Sequence, residues 1–529
     1  MTPRDESCPR YDVVVIGGAF SGASAALLLR RWCPEVRILV VERRESFDWK
    51  VGEATVEISG LFLTRVLGLY DHLVREHLPK HGLRFWFGDE AGQSLEEISE
   101  VGPHRVSGLP SFQLDRSKLD EEILRRARTA GAEVLRPAKV TEVELAWPES
   151  RVVLRDGAEE REITARWVLD ASGRQVFLGR RLGIIEEVER HPLAAAWGRW
   201  RGVTDLDGDG IQGPDPAEPR LPPVAASRSL ATNHFCGYGY WCWMIPLAGG
   251  ETSLGVVYDK RHFELAPGGS LPERYERFLR ERVPGLGELL AGARPVEGDF
   301  YAYKHLPYRA TRYADRGWAL LGDAAAFLDP YYSPGLDHAA LSIYSSARIV
   351  EADLRGELED GELDERLETH NGRWSRSYDR WLDALYLDKY EILGDAELTT
   401  AAFLFDTGMY YRGVVYPVWR DLASLENPVL GLDHPLAELG FRLMRAFRRR
   451  LVRLARFRRR AGIYGRRNSG WKSYPTRFDI DPRRAFGLVA SGLAHWLRAE
   501  AGYLLYRLRH RKPDLSTPAP SGSGSTAGG

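Results

Sequence analysis

The 529-residue sequence predicts an α/β protein with three parts: a Rossmann-type dinucleotide-binding domain, a β-sheet substrate domain and a helical C-terminal region. Three observations predict it. YDVVVIGGAFSGASAALLLRR, residues 11–31, reads as a buried strand, a glycine turn and a helix. RILVVERR, residues 37–44, follows as a second strand, which makes a βαβ unit opening a parallel sheet. From about Leu193 to Tyr303 the pattern is β-rich, with alternation in SLGVVYD, and after about Leu341 it turns helical. The expected divisions are a flexible N-terminus over 1–10, a nucleotide-binding module over 11–350 with its β-rich part at about 190–305, a helical domain over 351–511 and a disordered tail over 512–529.

Composition narrows the class. The chain is 44% hydrophobic and 28% charged, as a globular protein is. Its 73 Lys plus Arg balance 74 Asp plus Glu, so net charge gives no sign of nucleic acid as a partner. Cys8, Cys33, Cys236 and Cys242 form no CxxC pair and no metal-ligand spacing, and read as reduced thiols of a cytoplasmic protein. The first ten residues are polar, with no signal-peptide pattern, and no apolar run is long enough to cross a bilayer.

The elements carry the chemistry in order. The first strand feeds Gly17-Gly18-Ala19-Phe20-Ser21-Gly22, close to the G-x-G-x-x-G fingerprint, with Ala19 where the middle glycine belongs. The helix behind it aims its N-terminal amides at a pyrophosphate. Glu42 closes the second strand, placed to hold a ribose hydroxyl. KLDEEILRRARTAGAEVL, residues 118–135, reads as helix then strand. Two later strands end in Asp170-Ala171-Ser172-Gly173 and in Gly322-Asp323-Ala324. Between them, WCWMIP sets Trp241 and Trp243 two apart, on one face of a strand that stops at Pro246. Simple core packing accounts for such a pair equally well.

Taken together, the glycine turn, Arg116 in FQLDRSKLDEEIL, Asp170 and Gly322-Asp323 resemble the FAD-binding pattern of the flavoprotein monooxygenase superfamily, which implies an aromatic-hydroxylase-like arrangement of the first 350 or so residues. Within it, Trp241-x-Trp243-x-Ile245-Pro246 resembles the hallmark of the flavin-dependent halogenases. Glu53-Ala54-Thr55 after Gly52, Lys80 before an apolar strand, and Phe327-x-x-Pro330-x-x-Ser333-x-Gly335 agree in order with that family. The resemblance implies a two-component enzyme that takes FADH2 from a separate flavin reductase. A flavin hydroperoxide oxidises chloride or bromide to hypohalous acid, and Lys80 delivers it to an electron-rich aromatic substrate. It also implies that the tryptophans and Ile245-Pro246 part flavin from substrate, and that Ser333 and the amides at 334 and 335 serve the catalytic halide site.

The chain departs from that pattern at Ser333-Pro334-Gly335. Proline has no N–H, so one of two expected halide donors is missing, a loss of about 1.5–3 kcal/mol for a charge-assisted bond. Tyr332 stands where free-tryptophan halogenases carry glutamate, which points to phenolic, pyrrolic or carrier-protein-bound substrates. An FAD-dependent monooxygenase or reductase without halide use stays open beside the halogenase, as does a non-catalytic flavin-binding or partner-binding protein. His338 reads as a base or as a core histidine. Residues 442–460 hold ten arginines, with Leu443, Phe447, Leu451 and Leu454 on one helical stripe. A helical cap, a docking face for an acidic carrier protein and an anionic membrane surface are its three readings. Tyr410, Tyr411 and Tyr416 lie in an aromatic stretch that fits a substrate pocket or packing.

Overall fold

The computed structural model describes residues 8–207, 226–474 and 481–510. β1 (Arg10–Ile16) and β2 (Ile38–Val41) pair in parallel around the helix α1 (Phe20–Trp32). α2 (Arg116–Thr129) starts at Asp115, whose carboxylate accepts the Ser117 N–H, and leads into β3 (Glu133–Leu135), parallel to β2. β4 (Glu159–Asp170) lies on the other side of β1 and sets Asp170 opposite Ile16. Trp318–Leu320, from far along the chain, then runs parallel to β4. All three nucleotide-turn strands therefore end at the same edge, where open parallel sheets bind ligands. Valines and isoleucines buried on both faces give β1 and β2 their continuous apolar runs.

The second sheet is built from β5 (Leu193–Arg201), β6 (Thr232–Gly237), β7 (Tyr240–Pro246), β8 (Glu251–Asp259) and β9 (Arg294–Tyr303), in the order β9-β5-β8-β7-β6. Leu83–Phe87, Ser99–Val101 and Lys472–Ser473 extend it to eight strands among the described residues. Two short helices, Leu271–Glu281 and Leu286–Leu289, interrupt the β-rich stretch and seat Tyr275, Phe278 and Leu279 in a core with Trp200, Phe235 and Leu254.

Helices follow: α3 (Gly335–Leu354), α4 (Asp360–Trp381), α5 (Ala396–Tyr410), α6 (Pro435–Arg460) and α7 (Pro482–Arg509). α5 is buried on nearly every side, and its two buried acids are paired, Glu397 with Arg458 and Asp406 with Lys389. Three expectations change. The boundary at 350/351 falls inside α3. The region expected to be helical returns a strand, Lys472–Ser473, to the second sheet. Phe447, Leu451 and Leu454 pack inward as one stripe, but Leu443 is 53% exposed, because the buried stripe continues through Met444 instead. The tail at 512–529 lies outside the described residues, as do residues 1–7 of the N-terminus.

Candidate active site

The cofactor half is assembled by turns at the carboxyl ends of the parallel strands. Gly17 has φ +98°, and a Cβ there would stand 2.6 Å from the Ala171 carbonyl oxygen. A Cβ on Gly22 would stand 1.9 Å from the Gly17 carbonyl oxygen, so only glycine lets α1 start this close to β1. Ala19 takes the extended position before α1, where its methyl is tolerated. Glu42 accepts the Gly18 N–H at 2.7 Å and the Arg44 N–H at 2.9 Å, which shapes the loop a ribose would approach. The late turn joins the early one: the Ser21 hydroxyl lies 2.6 Å from where a Gly322 Cβ would be, and Gly322 N–H donates to Ser342 Oγ at 2.8 Å. Burial raises the Asp323 carboxyl above the usual range, and Arg174, Arg116 and Lys50 around it oppose the shift. Three cations beside two glycine turns fit the diphosphate and ribityl end of FAD.

Asp170 serves the cradle indirectly. Its two oxygens accept the Ser172 and Leu178 amides at 2.9 and 2.7 Å, so the carboxylate is occupied by the loop it holds. Arg116 ties its own helix to the Gly52 turn, pairing with Asp120 and donating to the Gly52 carbonyl at 3.4 Å. Glu53 is fully buried against Arg199 at 2.7 Å, and Arg199 also holds Asp299 at 2.9 Å. Ala54 bridges to Gln113, and Thr55 Oγ1 accepts the Phe112 N–H at 2.7 Å. Among the described residues no group of three or more His, Cys, Asp or Glu could hold a metal ion.

Thr55 also marks the far side of this wall. Its carbonyl accepts Lys80 Nζ at 2.7 Å, and Lys80 is only 3% exposed. Desolvation lowers its pKa to about 8, against the opposing pull of Glu57 and Asp337. Lys80 lines a cavity of about 360 Å³ together with Tyr332, Pro334, Asp337, Phe403 and Tyr410. The catalytic lysine expected from one motif and the halide segment expected from another, some 250 residues apart, thus open into one space. Ser333 sits between two cavity-lining residues without being one. Tyr332 and Ser333 both hold left-handed backbone, φ 73° and 59°, and the Ser333 N–H donates to the Pro330 carbonyl at 2.9 Å. Non-glycine residues held there store strain, of order 1–3 kcal/mol each. Gly335 opens α3 with Pro334 before it, so neither Ser333 nor Pro334 offers a free amide to an anion.

An aromatic stack stands behind the cavity. Trp241 and Trp243 share a face of β7 with ring centroids 5.9 Å apart, and Ile245 continues that face toward Pro246 at the strand end. Trp241 meets Tyr331 at 5.3 Å, and Tyr331 meets Tyr332 at 4.3 Å. Trp243 leans on Trp197 at 6.4 Å, and its N–H donates to Ser253 at 3.1 Å. The stack passes from the sheet to the cavity wall, and the two tryptophans themselves do not line the cavity.

Three groups escaped the sequence reading as site residues. Asp337 is buried in the cavity wall, where it accepts the Tyr410 hydroxyl at 2.6 Å and the Ser59 N–H at 2.8 Å, and burial raises its pKa to about 6. Tyr331 completes the aromatic stack. Lys389, buried, pairs with Asp406 at 2.5 Å and lies 4.4 Å from the Tyr332 ring. Tyr410 and Tyr411 line the cavity, and Tyr416 does not. His338 packs against Trp381 at 4.8 Å, as a core histidine does, and burial lowers its pKa to about 4.

Comparison with known proteins gives the same picture. A sequence family described as FAD binding domain matches residues 10–200. A flavin-dependent halogenase of Dictyostelium discoideum, chlA, is 29% identical over 434 residues, which is 76% of this chain and 69% of the relative. A 1H-pyrrole-2-carbonyl-[peptidyl-carrier protein] chlorinase of Pseudomonas fluorescens is 27% identical over 428 residues, 77% of this chain and 90% of the relative. The solved structure of halogenase PltM in complex with phloroglucinol and FAD superposes with a TM-score of 0.70, at 19% identity, over 92% of this chain and 96% of that one. With its glycine cradle, buried lysine and paired tryptophans in the order described, the chain is similar to flavin-dependent halogenases over about three quarters of its length.

Proposed function

We propose that this protein halogenates an electron-rich aromatic compound, using FADH2 delivered by a separate flavin reductase, O2, and chloride or bromide. One observation carries the reading: Lys80, buried and partly desolvated, opens into the same cavity as Tyr332 and Pro334, and Tyr332 joins that cavity to the Tyr331–Trp241 aromatic stack. Reduced FAD with O2 and halide supplies hypohalous acid. Lys80 Nζ holds that oxidant by hydrogen bonding, with Thr55 fixing the side chain. Asp337, within the same cavity, takes the proton that leaves the substituted ring carbon or its hydroxyl. The Trp241-Trp243-Tyr331 stack keeps the organic substrate away from the flavin, so the oxidant that crosses is small. The apolar wall and its phenol-lined end suit a phenol or pyrrole, free or presented on a carrier protein.

The test is reconstitution with a flavin reductase, bromide or chloride, and a panel of phenols and pyrroles. Halogen isotope patterns in the product are expected, and Lys80→Ala should lower product by about 10²-fold or more while flavin reoxidation continues. A hydroxylated or reduced product without halogen at every halide concentration would overturn the reading. The second reading, an FAD-dependent monooxygenase or reductase without halide use, is favoured by one feature: Pro334 has no N–H, and the Ser333 amide is bound to Pro330.

A further inference from the structure

Charge and exposed leucines are concentrated at one end of this molecule. Over the described residues from 432 to 510 there are 18 Lys and Arg against 4 Asp and Glu, in a chain whose net charge is −1. The same segment carries exposed large apolar side chains. On α6, Leu436, Leu439 and Leu443 are 71%, 52% and 53% exposed, and on α7, Leu497, Leu504 and Leu508 are 58%, 56% and 63% exposed.

These side chains share one face. Leu436, Leu443, Arg450 and Phe457 recur every seven residues, which is one stripe of α6. Arg450 pairs with Glu500 of α7, and Phe457 meets Tyr503 of α7 at 4.7 Å, so that stripe borders α7. Leu497 and Leu504 lie three and four residues from Glu500, on its side of α7. The apolar face of α7 continues back to Phe486, 52% exposed, and spans about 33 Å from there to Leu508. Arg449 and Arg453 are exposed on α6 beside it, and Arg498 and Arg507 on α7.

We propose that α6 and α7 form a platform that lies on an anionic membrane surface. A long amphipathic face with leucines at its centre and arginines at its edges matches the interfacial zone of such a membrane, where apolar side chains enter the acyl boundary and guanidinium groups meet lipid phosphates. No described helix is long and apolar enough to cross a bilayer, so the platform lies on the surface. Leu436 belongs both to this face and to the lining of the active-site cavity, which Leu432, 38% exposed, also lines. The cavity mouth therefore opens beside the lipid, and the substrate it receives is a lipophilic phenol or pyrrole partitioned there. That last step rests on the proposed halogenase activity, and vesicle binding does not.

The test is co-sedimentation of the full chain with vesicles of phosphatidylcholine alone or mixed with phosphatidylglycerol. Binding is expected on the mixed vesicles, weakened by salt. Leu504→Ser/Leu508→Ser and Arg449→Gln/Arg453→Gln should each weaken it about tenfold, with circular dichroism and FAD binding unchanged. The proposal is overturned if mixed vesicles bind no better than neutral ones, or if neither pair of substitutions weakens binding. It is also overturned if light scattering shows a dimer that the leucine substitutions abolish, because a second copy then covers the face.

Discussion

Asp337 and Lys80 set opposite limits on the pH range of the site. Burial raises Asp337 to about 6 and lowers Lys80 to about 8, so between those values the carboxylate accepts protons and the ammonium donates hydrogen bonds. The rate of product formation is therefore expected to rise through about pH 6 and fall above about pH 8. The two limbs are macroscopic values of a coupled pair. Asp337→Asn should remove the lower limb and cut the rate about 10²-fold or more, read from the pH–rate profile. The stability effect has a definite sign. The folded protein holds the Asp337 proton more tightly than the ordinary carboxyl at 3.8, so stability falls as pH rises from about 3.8 to about 6. Asp337→Asn should recover that loss above about pH 6. Lys80 was legible in the sequence because it stands in a fixed order with GEAT and an apolar strand. Asp337 was not. An acid in the first turn of a helix reads as a partner for the helix dipole, and its contacts, Ser59 and Tyr410, lie 278 and 73 residues away.

At the scale of elements, α6 shows what an arginine-rich helix hides. Its arginines read alike in sequence but do different things in the fold. Arg458 is 4% exposed and pairs with Asp395 and Glu397 at the start of α5, and Arg448 donates to the carbonyls of Asp383 and Leu387. Removing a partner from a buried pair leaves uncompensated charge, so Arg458→Ala should destabilise by about 3–5 kcal/mol in thermal or denaturant unfolding. Arg453→Ala, on the exposed side, should change stability by about 0.5 kcal/mol or less. Periodicity revealed the inward stripe of Phe447, Leu451 and Leu454. It did not reveal that the stripe continues through Met444 and not Leu443, nor the returning strand at Lys472–Ser473; two residues carry too little pattern to read as a strand.

At the scale of the whole molecule, an aromatic wall borders the cavity that holds Lys80. The wall draws on both sheets' loops: Trp241 and Trp243 from β7, Tyr331 and Tyr332 from the turn before α3, and Phe85 from the strand beside β6, whose ring lies 6.1 Å from Tyr331. If the wall separates oxidant formation from its use, thinning it should lose oxidant. Trp241→Ala is expected to raise the hydrogen peroxide released per FADH2 oxidised and to lower halogenated product per turnover, with FAD affinity unchanged. Unchanged coupling would limit these rings to packing. The paired tryptophans were visible in WCWMIP, and the fold class in the βαβ pattern. Tyr331 was hidden because a tyrosine next to a turn carries no signal until β7 is folded against it.

The pairing of Lys472–Ser473 with Ser99–Val101 has a consequence for how the chain is made. The Ser99 and Glu100 amides donate to the Asn468 and Trp471 carbonyls at 3.0 and 2.9 Å. A ribosome finishes one side of this ladder about 370 residues before the other. Through most of synthesis the second sheet has an open edge of unpaired backbone groups, a template for association with other nascent chains. Over-expression is then expected to reward slow translation and chaperone supply, and a chain ended before residue 468 should aggregate even though its nucleotide-binding half is complete.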